Sequence, residues 1–217
     1  MPRVMERVRA VRKYRSSCGG NLARSLAAQP TAYHVTVVPR AEYLVIPEVS
    51  SERRDYVPIG YLKPPAIPSN QLLVVEDAPL HLFALLTSVM HMAWLRQVGG
   101  RLKSDCRYSS GLVYNTFPSP PGGSDLSQLD SAARGVIDAR AAHSGASLAD
   151  LYDRDLMPPD LRRAHAALDR TVDRMYRRAG FGSDSERVSH LFGVYEEYSA
   201  SGKSGDESGS RGANGQS

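Results

Sequence analysis

Residues 79–108 read Pro79-Leu80-His81-Leu82-Phe83-Ala84-Leu85-Leu86-Thr87-Ser88-Val89-Met90-His91-Met92-Ala93-Trp94-Leu95-Arg96-Gln97-Val98-Gly99-Gly100-Arg101-Leu102-Lys103-Ser104-Asp105-Cys106-Arg107-Tyr108. The run from Pro79 to Leu95 holds no Asp, Glu, Lys or Arg, yet it contains His81, Thr87, Ser88 and His91. It falls short of the roughly 20 apolar residues a membrane span needs, so it predicts a buried helix. Leu82, Phe83, Leu86, Val89, Met90, Ala93 and Trp94 predict one long helix over 79–98, opened by Pro79 and ended by Gly99-Gly100. Arg101 to Tyr108 then returns to strand character, with Lys103, Asp105 and Arg107 on one face because strand side chains alternate. Three charged groups on one strand face are not core.

Working outward, the upstream segment is strand-rich. Tyr33–Val38 and Tyr43–Ile46 are β-branched and aromatic runs closed by Pro39 and Pro47, and Val57–Leu62 and Leu72–Val75 predict further strands. Leu112–Tyr114 adds one more. Residues 3–28 predict a basic helix with Val4, Val8 and Val11 on one face, broken at Ser16 to Gly20, then a short helical stretch from Leu22 to Ala28. Pro118, Pro120, Pro121, Gly122 and Gly123 make a linker. Beyond it the apolar period is helical: Leu126, Leu129, Ala133, Val136 and Ile137, then Leu161, Ala164, Leu168, Val172, Met175 and Ala179. A last helix opens with the capping-box pattern Ser183-Asp184-Ser185-Glu186 and buries Val188, Leu191, Phe192 and Tyr195. Residues 200–217 have nothing to bury and predict disorder. The fold class is α+β: a helical lead-in (1–30), a strand-rich module with one long buried helix (31–121), an all-α domain (124–199) and a tail (200–217).

The chain has 217 residues and a net charge of +4, unevenly spread. Residues 1–40 carry eight Lys and Arg against Glu6 alone, so a polyanion meets that end first. Cys18 and Cys106 form no CxxC pair, and the charged N-terminus has no signal-peptide run, which predicts a reducing, cytoplasmic setting. No phosphate-binding glycine loop, HExxH or GxSxG occurs, nor the Asn-Pro-Pro-aromatic tetrad of amino methyltransferases or a nuclease carboxylate pattern. The six histidines show no metal-ligand spacing; His81 and His91 read as packed or hydrogen-bonded groups. No catalytic constellation is legible.

Four stretches carry a resemblance: Ser50 to Gly60, Leu86 to Trp94, Gly100 to Ser109, and Tyr114-Asn115-Thr116-Phe117-Pro118. In that order they resemble the target-recognition domain of the MmeI-like family, single-chain enzymes joining a nuclease, an adenine methyltransferase and a DNA-reading domain. Leu148 to Tyr152, Met157 to Leu161, and Ala164 to Asp169 resemble that family's C-terminal helical domain. The resemblance covers residues 3–198. It implies duplex DNA as partner, no cofactor on this chain, and S-adenosylmethionine held in a methyltransferase and nuclease portion encoded upstream.

The resemblance also implies that a residue pair two apart, after the Gly-Arg turn, reads one base pair. The matching positions are Lys103 and Asp105. Lysine donates to guanine's major-groove acceptors and aspartate accepts from cytosine's amine, so a G·C pair is expected. Asn70 and Gln71, before another strand, suit adenine or cap a turn. Arg53, Arg54, Arg101 and Arg107 hold phosphates or form ion pairs with Glu52, Asp55 and Asp105. Tyr114 to Pro118 reads as a strand end and turn, or a base contact. The basic helix is a phosphate-binding element or a domain joint; its valines favour the joint. The rival reading is an orphan piece that docks on a protein partner through its apolar helix without binding DNA.

Overall fold

In the computed structural model, residues 2–32, 39–121 and 126–200 are described. The chain divides into two compact units, Met1–Val38 and Pro39–Ser217. The expected strand at Tyr33–Val38, the Gly122-Gly123 part of the linker and tail residues 201–217 lie outside the described residues.

In the first unit, α1 (Pro2–Ser17) is followed by α2 (Asn21–Ser25) and a 3₁₀ turn over Leu26–Ala28. The Arg15 guanidinium donates to the carbonyls of Leu26 (3.3 Å), Gln29 (3.0 Å) and Ala32 (2.9 Å), adding a side-chain donor to Leu26 O and Gln29 O, which also accept from Gln29 N and Ala32 N. No residue of α1 is buried, and Val4 and Val11 stay exposed.

The second unit is built on β1 (Tyr43–Pro47), which runs antiparallel between β3 (Gly60–Leu62) and β4 (Leu72–Glu76). Tyr43 to Ile46 are all buried, which suits a central strand covered on both faces. One residue on, β2 (Val49–Ser50) joins a second sheet, pairing with β6 (Asp105–Arg107), which pairs with β5 (Gly100–Leu102). Glu48 is the joint. Its N–H donates to Gln71 O (3.0 Å), extending the first sheet, and its C=O accepts from Tyr108 N (2.8 Å), extending the second.

Between β4 and β5 the apolar run folds as two helices, α3 (Leu80–Leu86) and α4 (Val89–Val98), rather than one. Ser88 breaks it: its backbone is extended and its hydroxyl accepts from His91 N (3.2 Å), the N-cap of a new helix. Three expected strands also change. Only Gly60–Leu62 of 57–62 pairs. Residues 101–108 turn back at Lys103-Ser104 to make the hairpin β5–β6. Leu112–Tyr114 lies in a wide helical turn over Ser110–Tyr114, closed by Asn115 N to Ser110 O (2.8 Å), an i to i−5 bond.

The C-terminal helices are α5 (Ser127–Ala141), α6 (Leu148–Leu151), α7 (Pro159–Tyr176) and α8 (Asp184–Ala200). Leu129, Ala133, Val136, Leu161, Leu168 and Val172 are fully buried and share one core with Phe83, Met90 and Trp94. At the start of α8, Ser183 Oγ accepts from Glu186 N (3.2 Å), but the Glu186 carboxylate takes Gly182 N and Arg177 instead of closing the box. Phe192 and Tyr195 lie against Trp94 at ring distances of 5.1 and 6.2 Å yet keep over a third of their surface exposed. No described helix is long and apolar enough to cross a membrane.

Candidate nucleic-acid interface

The β5–β6 hairpin is largely exposed, all of Gly100 to Ser104 and Arg107 reaching solvent. In its register Ser50, Cys106 and Arg101 share one face, and Ser50 and Cys106 are buried, so that face looks inward. Val49, Arg107 and Gly100 share the other, together with the Leu102–Asp105 pair. Leu102 is 52% exposed and Val49 39%, so the outward face is open.

Lys103 does not continue that strand face. It occupies the first position of the two-residue loop Lys103-Ser104, at φ +57°, where glycine is the ordinary occupant. The one-face arrangement of Lys103, Asp105 and Arg107 therefore holds only for Asp105 and Arg107; the lysine projects from the tip beside them. One Asp105 oxygen accepts from Glu52 N (3.2 Å), which ties the hairpin to the Ser51–Asp55 loop. The side chains of Lys103 and Arg107 make no hydrogen bond or ion pair among the described residues.

The arginines divide. Arg101 is structural: it donates to Ser104 O (3.4 Å), Cys106 Sγ (3.1 Å) and Arg96 O (3.3 Å), bracing the hairpin from within. Arg54 is half-buried, with Nε lacking a partner and its carbonyl accepting from Arg96 (3.4 Å). Arg53 pairs with Asp155 (2.8 Å) where both are mostly exposed, a weak tie. The pairing expected with Glu52, Asp55 and Asp105 is not formed by any of the four. Asn70 and Gln71 are exposed at the turn before β4, and Gln71 O abuts the Glu48 joint that also carries Tyr108.

The Gly99 position sets where the hairpin leaves α4. A Cβ there would lie 2.5 Å from Leu95 O and 2.8 Å from Leu95 Cδ1, so only glycine permits this approach. Behind the sheet, His91 Nε2 meets Tyr108 Oη at 2.8 Å. Burial lowers the His91 pKa to about 3, so it stays neutral, a packed histidine as its lone position indicated. Among the described residues no group of three His, Cys, Asp or Glu could hold a metal ion.

The support beneath the Ser51–Asp55 loop was not legible in the sequence. Tyr56 stacks on His165 at 4.0 Å and donates to Asp169 Oδ2 (2.6 Å). Asp169 Oδ1 accepts from Val89 N (2.8 Å), a carboxylate at the α4 N-terminus. Burial raises the Asp169 pKa to about 6, held back by those two hydrogen bonds. Arg140 donates to Ile59 O (2.7 Å) and to the Tyr152 hydroxyl, which also meets His165 at 2.6 Å. Nothing in the spacing of these residues links them, because they meet only across α5, α6 and α7.

Comparison with known proteins places the chain. Residues 1–121 match the family described as MmeI, target recognition domain, and residues 124–201 match MmeI, C-terminal domain. DNA methyltransferase A of Bacillus subtilis (strain 168) is 38% identical over 201 residues, 90% of this chain and 22% of that protein. The solved structure of the Type IIL restriction-modification enzyme MmeI in complex with DNA is 37% identical and superposes with a TM-score of 0.85, covering 91% of this chain and 26% of that one. The chain thus spans about a quarter or less of the length of these relatives. It belongs to the MmeI family, of which it carries the target recognition and C-terminal domains.

Proposed function

We propose that this chain reads the sequence of duplex DNA for an adenine-specific methyltransferase of the restriction–modification type, in the cytoplasm. The observation that carries the reading is the outward hairpin, which presents Lys103 at its tip and Asp105 and Arg107 on its open face, the Lys103 and Arg107 side chains having no polar partner among the described residues. Lys103 and Asp105 read one G·C pair, the ammonium donating to guanine and the carboxylate accepting from cytosine. Asn70 and Gln71 read a neighbouring adenine. Arg107 meets phosphate, and Arg53 does so by exchanging its exposed tie to Asp155; Arg54 and Arg101 brace the loop and hairpin. These residues supply no catalytic group and hold no cofactor; S-adenosylmethionine belongs to the methyltransferase portion that acts with this module. The rival docking role loses its surface, since Phe83, Leu86, Met90 and Trp94 are consumed by this chain's own core.

The test is selection from a randomised duplex pool with the wild-type chain and with Lys103→Glu/Asp105→Arg. The wild type is expected to enrich a motif with a fixed G·C pair, and the double variant to change the base preference at that position alone. An unchanged preference at every position refutes the assignment.

A further inference from the structure

A second basic surface lies on α7, outside the reading hairpin. Leu161, His165, Leu168, Val172 and Tyr176 face the core, and Asp169 and Asp173 are turned aside onto Tyr56, Val89 and Arg187. At 100° per residue the opposite side carries Arg163, Arg170 and Arg174 within about 40° of one line. All three are exposed, with exposed Ala167 between them, and no side chain of the three makes a hydrogen bond or ion pair among the described residues. The carboxylate at the N-terminal edge of this face, Asp160, is already held by His143 at 2.9 Å.

The reading hairpin and its loop reach the N-terminal end of α7, where the stripe begins. Asp105 binds Glu52 N, Arg53 pairs with Asp155 just before α7, and Asp55 faces Arg162 at 3.8 Å, one residue from the start of the stripe. From Arg163 to Arg174 the helix rises about 16 Å, which matches roughly five phosphates of one strand. Arginine suits this role because its fixed fork of donors fits phosphate oxygens.

We infer that the Arg163–Arg170–Arg174 face of α7 binds the phosphate backbone of the duplex, flanking the base pairs that the hairpin reads. This rests on the DNA-reading function proposed above. The contact is sequence-blind: it adds affinity and salt dependence without altering the motif.

The experiment measures duplex affinity of the full chain against salt for the wild type, Arg163→Gln/Arg170→Gln/Arg174→Gln, the corresponding triple lysine variant, and Lys103→Glu/Asp105→Arg. Thermal melts verify that each is folded. Losing three phosphate contacts should flatten the slope of log K against log salt by roughly 2.7. Between 50 and 200 mM salt the wild type should therefore lose roughly 40-fold more affinity than the glutamine variant. The enriched motif should stay the same, and the lysine variant should retain the wild-type slope. A glutamine variant with the wild-type slope, in a protein that still selects a motif, overturns this inference alone and assigns the stripe to an acidic protein surface or solvent. A wild-type chain that binds no duplex overturns both this inference and the functional reading.

Discussion

Replacing Lys103 with glycine should make the protein more stable and less selective at once. A non-glycine residue in the left-handed region costs about 1–2 kcal/mol, because its Cβ crowds the following carbonyl oxygen. Lys103 sits there at φ +57°. Glycine removes that crowding but adds about 0.5–1 kcal/mol of unfolded-chain entropy, leaving a net gain of about 0.5–1 kcal/mol. For a unit of this size, 1 kcal/mol moves the midpoint by about 2–4 °C, so Lys103→Gly should raise Tm by about 1–4 °C. The same change deletes the ammonium proposed to donate to guanine. A good base contact discriminates by about 1–3 kcal/mol, so preference for the G·C pair should fall about 5- to 150-fold. Differential scanning calorimetry reads the first effect, and competition between matched and single-substituted duplexes reads the second. A lowered Tm refutes the strain argument. Full retention of base preference refutes the assignment of Lys103 as a reader, because stability and recognition would then have parted in the wrong direction.

Two further outcomes follow from the surrounding structure. Gly99→Ala should destabilise by about 1–3 kcal/mol, since its Cβ meets the Leu95 backbone at 2.5 Å and the hairpin must shift. Urea denaturation and motif selection should both register it, and a variant with wild-type stability and preference would contradict the close approach. Stability should also fall from pH 8 to pH 5. His91 and His165 have pKa values lowered to about 3 by burial, in His165 with help from Arg140, so below about pH 6.5 the unfolded chain binds protons that the folded one refuses. Each costs about 2 kcal/mol at pH 5. Asp169, raised to about 6, works the other way: the folded state takes up its proton first, which returns about 1.4 kcal/mol as pH drops through 6. The net loss is about 2–3 kcal/mol, and equal stability at the two pH values in urea titrations would show that these histidines are not held neutral.

The apolar run 79–98, the strand at 43–46 and the helical periods beyond residue 126 were legible because each rests on local spacing and burial. Gly99-Gly100 likewise marked the turn into the charged stretch. The boundary inside the apolar run was missed, since Ser88 reads as one polar residue until its hydroxyl caps a helix. The alternation from Arg101 to Arg107 read as one strand for a similar reason. A lysine in a left-handed turn carries no local signature, as glycine or asparagine would.

By itself, the sequence determined the α+β class, the apolar run and helical periods that make the core, the glycines that end that run, and the residue types available for reading bases, because propensity and periodicity act over a few neighbours. Only the tertiary structure decided which charges remain free. Arg101 is consumed bracing its own hairpin, Arg53 is paired with Asp155, and Lys103 and Arg107 are left open, as are Arg163, Arg170 and Arg174 on α7. A charged side chain's role depends on what lies within a few ångströms of its tip. For Arg101 those neighbours sit in its own hairpin and at the end of α4, whereas for Arg53 the partner comes from a segment a hundred residues away, brought near by a core that the charges do not share.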